Sequence, residues 1–143
     1  MAQISQILSD RELYFVEPHQ TVFEVATKMA DLHVGAILVL KDGELCGIFS
    51  ERDLLNRVLV EGRDPRLVRV AEVMTPSPTT VDESATADEA MEVMHRHNCR
   101  HLPVLRNGRV IQMISMRDLM YYDLERKAEE IQHMREYING AAR

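Results

Sequence analysis

Tryptophan is absent from the 143 residues, and only 5% of them are aromatic. Irregular core filling and adaptable contact surfaces therefore fall largely to the nine methionines. Cysteine is nearly absent too, with only Cys46 and Cys99. Two thiols among apolar and helix-end residues exclude a disulfide framework and suit a reducing, cytoplasmic setting. No apolar run approaches the length that crosses a bilayer, and the N-terminus does not resemble a signal peptide, so membrane insertion is not expected. Basic side chains are outnumbered, with 17 Lys and Arg against 23 Asp and Glu and a net charge of -6. That balance excludes sequence-independent binding to nucleic acid or to an anionic membrane.

What the chain does have is a copy of itself. Gly47-Ile48-Phe49-Ser50-Glu51-Arg52-Asp53-Leu54 returns as Gln112-Met113-Ile114-Ser115-Met116-Arg117-Asp118-Leu119. The same shift pairs Thr21 with Thr86, Glu24 with Glu89, Met29 with Met94, Val39 with Val104 and Gly43 with Gly108. A gapless repeat of this length predicts two copies of one supersecondary unit. Each copy is too small to be comfortably stable alone, so the copies should pack on each other.

Each copy reads as strand, helix, strand, strand, helix, an α/β (α+β) pattern. In the first, Leu13–Val16 predicts a strand ended by Pro18. Thr21 with Glu24 predicts a capping box for a helix whose apolar face is Val22, Val25, Ala26 and Met29. Ala36–Leu40 reads as a buried strand, Asp42-Gly43 as a hairpin turn, and Leu45–Phe49 as the returning strand. Ser50 opens a second helix reaching about Val60. The second copy repeats this with a strand at Thr79–Val81, a capping box at Thr86 and Glu89, a hairpin turning at Asn107-Gly108, and a helix opened by Ser115. That last helix is expected to stop near Asn139-Gly140. Pro103 predicts a strand position where one ladder bond can be lost. A turn-rich linker precedes a short helix at Val70–Met74, which Thr75-Pro76 should end. Ile4–Leu8 looks like the counterpart of that short helix. The expected bounds are 4–62 for the first repeat, 63–73 for the linker, 74–124 for the second repeat and 125–143 for a C-terminal helical extension.

These residues resemble the CBS domain, named after cystathionine β-synthase, which occurs in tandem pairs. Its strand-to-helix signature, Gly-x-x-Ser/Thr-x-x-Asp, is matched by Gly47, Ser50 and Asp53. The second copy keeps Ser115 and Asp118 but has Gln112 in place of the glycine. Val73-Met74-Thr75-Pro76 and Arg100-His101-Leu102-Pro103-Val104 are further family-like segments. The resemblance covers about Ile4 to Tyr122 and leaves no catalytic domain over. The chain is similar to a stand-alone pair of the kind found as the regulatory module of inosine-monophosphate dehydrogenase.

The resemblance implies two repeats packed about a pseudo-two-fold axis, two clefts that hold adenine nucleotides or adenosyl compounds, and a homodimer. AMP, ADP, ATP and S-adenosylmethionine are the ligands it suggests; it implies no resident cofactor. Asp53 and Asp118 would accept hydrogen bonds from ribose hydroxyls. Ser50 and Ser115 mark helix N-termini whose free N–H groups favour phosphate, with Arg52 and Arg117 able to add charge-assisted bonds. Ile48 and Met113 would line the adenine slots. By the same resemblance, Thr75, Cys99, Arg100 and His101 complete the Asp53 cleft, and Val34, Gly35 and Ala36 complete the Asp118 cleft. The second set carries no charge, and Gln112 replaces a glycine there, so the Asp53 cleft is expected to bind more tightly.

Other patterns are weaker. Ser-x-x-Asp is also a plain helix cap, a role compatible with ligand binding. His95, His97, Cys99 and His101 straddle a helix end and a strand start without a second pair at zinc spacing, so no metal site is expected. Arg63, Arg66 and Arg69 read as solvated linker charges. Leu124, Ala128, Ile131 and Ile138 lie at helical spacing along the C-terminal helix. They predict an amphipathic face for a dimer mate or, alternatively, for a partner protein. No nucleophile–base pair or glycine-rich phosphate loop is legible, so a non-enzymatic regulatory module is expected. The rival reading is a dimerising interaction module that binds no nucleotide.

Overall fold

A computed structural model describes residues 2–8, 10 and 12–141. Its elements run α1 (Ile4–Ile7), β1 (Phe15–Val16), α2 (Val22–Leu32), β2 (Ala36–Lys41), β3 (Glu44–Ser50) and α3 (Glu51–Asp53). A π-helical stretch, Leu54–Leu59, continues α3. Then come α4 (Val70–Val73), β4 (Thr75–Pro76), β5 (Val81–Asp82), α5 (Ala87–Arg96), β6 (His101–Arg106), β7 (Arg109–Ser115) and α6 (Met116–Ala141). The end of the expected extension, residues 142 and 143, lies outside the described residues.

The repeat in sequence is a repeat in backbone conformation. The hairpin turns Asp42-Gly43 and Asn107-Gly108 have φ values of 52° and 81°, and 52° and 79°. Two positive values in succession are what a two-residue turn matched to strand twist requires. His33 and Asn98, related by the same shift, also adopt positive φ, at 56° and 50°. Both hairpins carry a register irregularity at the same place, between Val39 and Leu40 and between Val104 and Leu105.

One sheet has the order β1-β2-β3-β4 and the other β5-β6-β7. β1 and β5 pair in parallel with β2 and β6, while the hairpins are antiparallel. The β3 and β7 strands bring the two repeats together. β5 pairs with Val104 and Leu105, so among the described residues no strand lies beside Pro103 on that edge and its missing N–H costs nothing there.

Two cores result, and their membership crosses the repeat boundary. Val16, Val22, Ile37, Phe49 and Val58 of the first repeat pack with Val70 and Val73 of α4. Val81, Met94, Leu102, Ile114 and Leu119 of the second repeat pack with Ile4 of α1. Backbone bonds mirror the exchange. Val70 N–H donates to Gln20 C=O at 2.8 Å, and Ile4 N–H donates to Ala85 C=O at 2.8 Å. Each lead-in helix thus serves the other repeat, which ties the two units into one fold.

Several local expectations are corrected. The strands before α2 and α5 are shorter than expected, and the second lies at Val81–Asp82 rather than at 79–81. Thr75-Pro76 does more than end α4: it adds β4 to the edge of β3. Thr86 and Glu89 form a full capping box, but at α2 only the Thr21 half forms. The Glu24 carboxylate accepts instead from Gln20 Nε2 at 3.5 Å. Asn139-Gly140 does not stop α6, which is helical through Ala141.

Candidate functional site

The strand-to-helix turns at Ser50 and Ser115 are built alike. Ser50 N–H donates to Asp53 Oδ2 at 3.0 Å, and Asp53 N–H donates back to Ser50 Oγ at 3.3 Å. Ser115 N–H donates to Asp118 Oδ2 at 2.9 Å, and Asp118 N–H to Ser115 Oγ at 3.0 Å. Each aspartate is thereby locked at the third position of its helix, where the helix dipole favours a negative charge.

Further contacts belong to Asp53, a charged side chain that is almost wholly buried. Its Oδ2 also accepts from the Ser50 hydroxyl at 3.1 Å. Its Oδ1 accepts from the Thr75 hydroxyl at 3.3 Å and lies 3.5 Å from Arg57 Nε. Arg57 also donates to the carbonyls of Val73 and Met74, at 3.3 and 2.9 Å. The expected pairing of Thr75 with Asp53 is therefore present in space. Arg57 was not foreseen, although its spacing of one helical turn from Asp53 carries the signal.

Thr75 reaches Asp53 because β4 lies against β3, with Ile48 opposite Thr75 and Gly47 opposite Pro76. Gly47 permits this approach. A Cβ there would stand 2.6 Å from Met74 Sδ and 2.7 Å from the Thr75 carbonyl oxygen. The signature glycine is thus a packing requirement of the first repeat. In the second repeat Gln112 holds the matching position, and among the described residues no strand lies on the outer edge of β7.

The other cleft shows a small recess lined by Glu12, Tyr14, Val34, Ala36, Gln112 and Met113. It unites the expected Val34, Ala36 and Met113, and it adds Glu12 and Tyr14. Gly35 sits beside them, its carbonyl accepting from Glu51 N–H at 3.0 Å. The matching bond in the second repeat runs from Met116 N–H to the Arg100 carbonyl at 2.8 Å.

His101 was expected with Asp53. Its charged neighbours are instead Asp118 of its own repeat, then Glu51 and Arg100. It pairs across the hairpin with Ser115, so the imidazole stands beside the cap of α6. Burial pulls its pKa below the ordinary value, and the two acids only partly offset that. Burial likewise pushes the Cys99 thiol up, which disfavours a thiolate. Among the described residues, no three His, Cys, Asp or Glu side chains are grouped to hold a metal ion. Arg52, Arg100 and Arg117 are exposed. A wider recess lies between the two hairpin turns, lined partly by Gly43, Thr80, Gly108 and Arg109. It lies at the far end of the strands from both serines and is separate from the caps.

The CBS-domain family profile matches residues 4–60 and 70–125. The chain belongs to the CBS-domain family. The two matches place two CBS repeats in tandem. The chain is 34% identical over 125 residues to CBSX3, a mitochondrial CBS domain-containing protein of Arabidopsis thaliana, covering 84% of this chain and 61% of that protein. Among solved structures it resembles a signal-transduction protein with CBS domains from Burkholderia ambifaria, at 33% identity and a TM-score of 0.83, over 87% of this chain and 95% of that one. It also shares its fold with CBSX2, solved in complex with AMP, at 24% identity and a TM-score of 0.76, over 89% and 99% of the two chains. No helix among the described residues is long and apolar enough to cross a membrane.

Proposed function

We propose that this CBS pair is a non-enzymatic cytoplasmic sensor that binds an adenosyl compound (AMP, ADP, ATP or S-adenosylmethionine) between its repeats. The observation that carries the reading is the duplicated cap. In both copies a buried or half-buried aspartate is pinned by the serine N–H at a helix start. Such a carboxylate is oriented to accept from ribose hydroxyls, and the adjoining helix start favours phosphate. Ile48 and Met113 are half-buried beside the two caps and offer apolar surface to a base. The AMP complex of CBSX2 supports the same ligand class for a chain of this fold.

Both serine oxygens are engaged within the caps: the Ser50 hydroxyl donates to Asp53, and Ser115 Oγ accepts from the backbone of Asp118. Ligand binding would act by favouring one packing of the repeats, or of a homodimer, over another.

The Asp53 cleft should be the tighter one. Thr75 and Arg57 surround its carboxylate with donors, whereas Tyr122 holds the position equivalent to Arg57 in the second repeat. The test is thermal unfolding and calorimetric titration with AMP, ATP and S-adenosylmethionine. One of these should raise the melting temperature in a dose-dependent way. That rise should vanish in a folded Asp53→Ala, Asp118→Ala double variant, and Asp53→Ala alone should cost more affinity than Asp118→Ala. Equal single losses would remove the asymmetry. No shift at millimolar ligand would leave a dimerising interaction module as the better reading.

A further inference from the structure

The C-terminal helix leaves the body of the protein almost at once. Among the described residues Leu119 is the last buried one, and residues 124–140 are all exposed. The 26 residues of α6 span about 39 Å, and more than half of that length is the exposed stretch. A bare helix of this length is marginal in water, and its stability normally comes from packing an apolar face.

The apolar residues on this arm follow a heptad. Leu124, Ile131 and Ile138 fall seven residues apart, and the second seam position is held by Met120, one turn before Leu124, and by Met134, between Ile131 and Ile138. All five are more than half exposed. Their spacing of three and four residues describes the narrow stripe of a coiled coil rather than the wider face that packs on a globular core. Charges flank the stripe on either side, with Asp123 and Glu130 along one edge and Arg135 on the other.

We infer that α6 is the dimerisation arm of this protein, forming a parallel two-stranded coiled coil with the same helix of a second copy. In a parallel pair, Glu130 meets Arg135 of the partner subunit, and symmetry makes the contact twice. In an antiparallel pair like edges face each other, and Glu130 and Asp123 meet the same acids. Glu125, Glu129 and Glu136 occupy the back of the helix, which opposes an anionic bilayer as the occupant. Lys127 is the one polar side chain within the seam. Its ammonium is drawn to the edge by Asp123 Oδ2, at 3.2 Å. A lone polar residue in a seam lowers stability and restricts the pairing to one register and oligomer size. This inference does not depend on the nucleotide reading.

The experiment uses the full chain without nucleotide. Oxidised Ile138→Cys should form a disulfide-linked dimer, because equivalent seam positions face each other only in the parallel pair; the unsubstituted protein, with half-buried Cys46 and Cys99, is the blank. Adding Ile131→Glu should abolish the crosslink, with circular dichroism confirming that the body stays folded. Lys127→Leu should strengthen the dimer about tenfold or more in sedimentation equilibrium, since it completes the seam. A monomeric mass at 100 μM, on the order of ordinary assay concentrations, would overturn the proposal in favour of a foreign protein on this face. A dimer in which Ile138→Cys does not crosslink, or crosslinks equally with Ile131→Glu, would overturn it as well.

Discussion

Ile4 fills in the core of the second repeat the place that Val70 fills in the first. Both are fully buried, and their N–H groups bond to loop carbonyls two residues before the equivalent α2 and α5 helices, Gln20 for Val70 and Ala85 for Ile4, each at 2.8 Å. Neither repeat completes its core from its own sequence. This reciprocal exchange makes the pair one cooperative unit, and it places Thr75, at the end of α4, beside Asp53.

The exchange makes an uneven prediction about amide exchange. Ile4→Ala should destabilise the protein by about 2–5 kcal/mol, the usual cost of a large-to-small change in a closed core. The loss should appear first in β6 and β7, with β2 and β3 less affected; Val70→Ala should reverse that order. Native-state hydrogen exchange reads both. Identical protection profiles for the two variants would contradict the crossed cores.

Gly47→Ala tests the join between β3 and β4. The added methyl would meet Met74 Sδ at 2.6 Å and the Thr75 carbonyl at 2.7 Å. A backbone atom cannot move aside as a side chain can, so β4 should lift from the sheet. A loss of about 1–3 kcal/mol is expected in urea unfolding, typical of overpacking. The Thr75–Asp53 hydrogen bond should be lost with it, weakening ligand binding at that cleft. Gln112→Gly, at the matching position of the second repeat, should not reproduce this effect.

His101 carries a pH dependence. Burial depresses its pKa in the folded chain below the ordinary 6.5 of an unfolded one. At pH values below about 6.5 the unfolded chain therefore holds more protons than the folded chain, and stability falls as the pH falls. Above that value the contribution is fully present. Melting temperature from pH 8 to 5, compared with His101→Gln, checks this: the variant should lose less stability on acidification. Acid sensitivity unchanged by the substitution would exclude His101 as a source. Asp118 and Glu51 limit the shift, so replacing either with its amide should depress the pKa further.

Much of the fold was legible because the chain states it twice. Hairpin turns at Asp42-Gly43 and Asn107-Gly108, the caps at Thr21 and Thr86, and the serine–aspartate pairs are local chemistry, decided by residues within four positions of each other. The element order of both repeats followed from them. Less legible were the features that depend on distant segments. Thr75-Pro76 reads as a helix stop, and it becomes a strand only because Gly47 leaves room on the edge of β3. His101 reads as a companion of Asp53, yet the hairpin register sets it opposite Ser115. Glu12 and Tyr14 carry no motif, and their places follow from packing; Arg57 is marked only by its spacing of one helical turn from Asp53.

The sequence by itself determined that there are two copies of one unit, where each turns and caps, and that each ends a strand in Ser-x-x-Asp. Those outcomes rest on backbone preferences and hydrogen bonds that close over a few residues. Only the tertiary structure decided which helix completes which core, which donors surround Asp53, and that most of α6 stands clear of the body. These depend on shape complementarity between segments far apart in the chain, where the burial of apolar surface and the space around Gly47 choose among partners that the local pattern leaves equivalent.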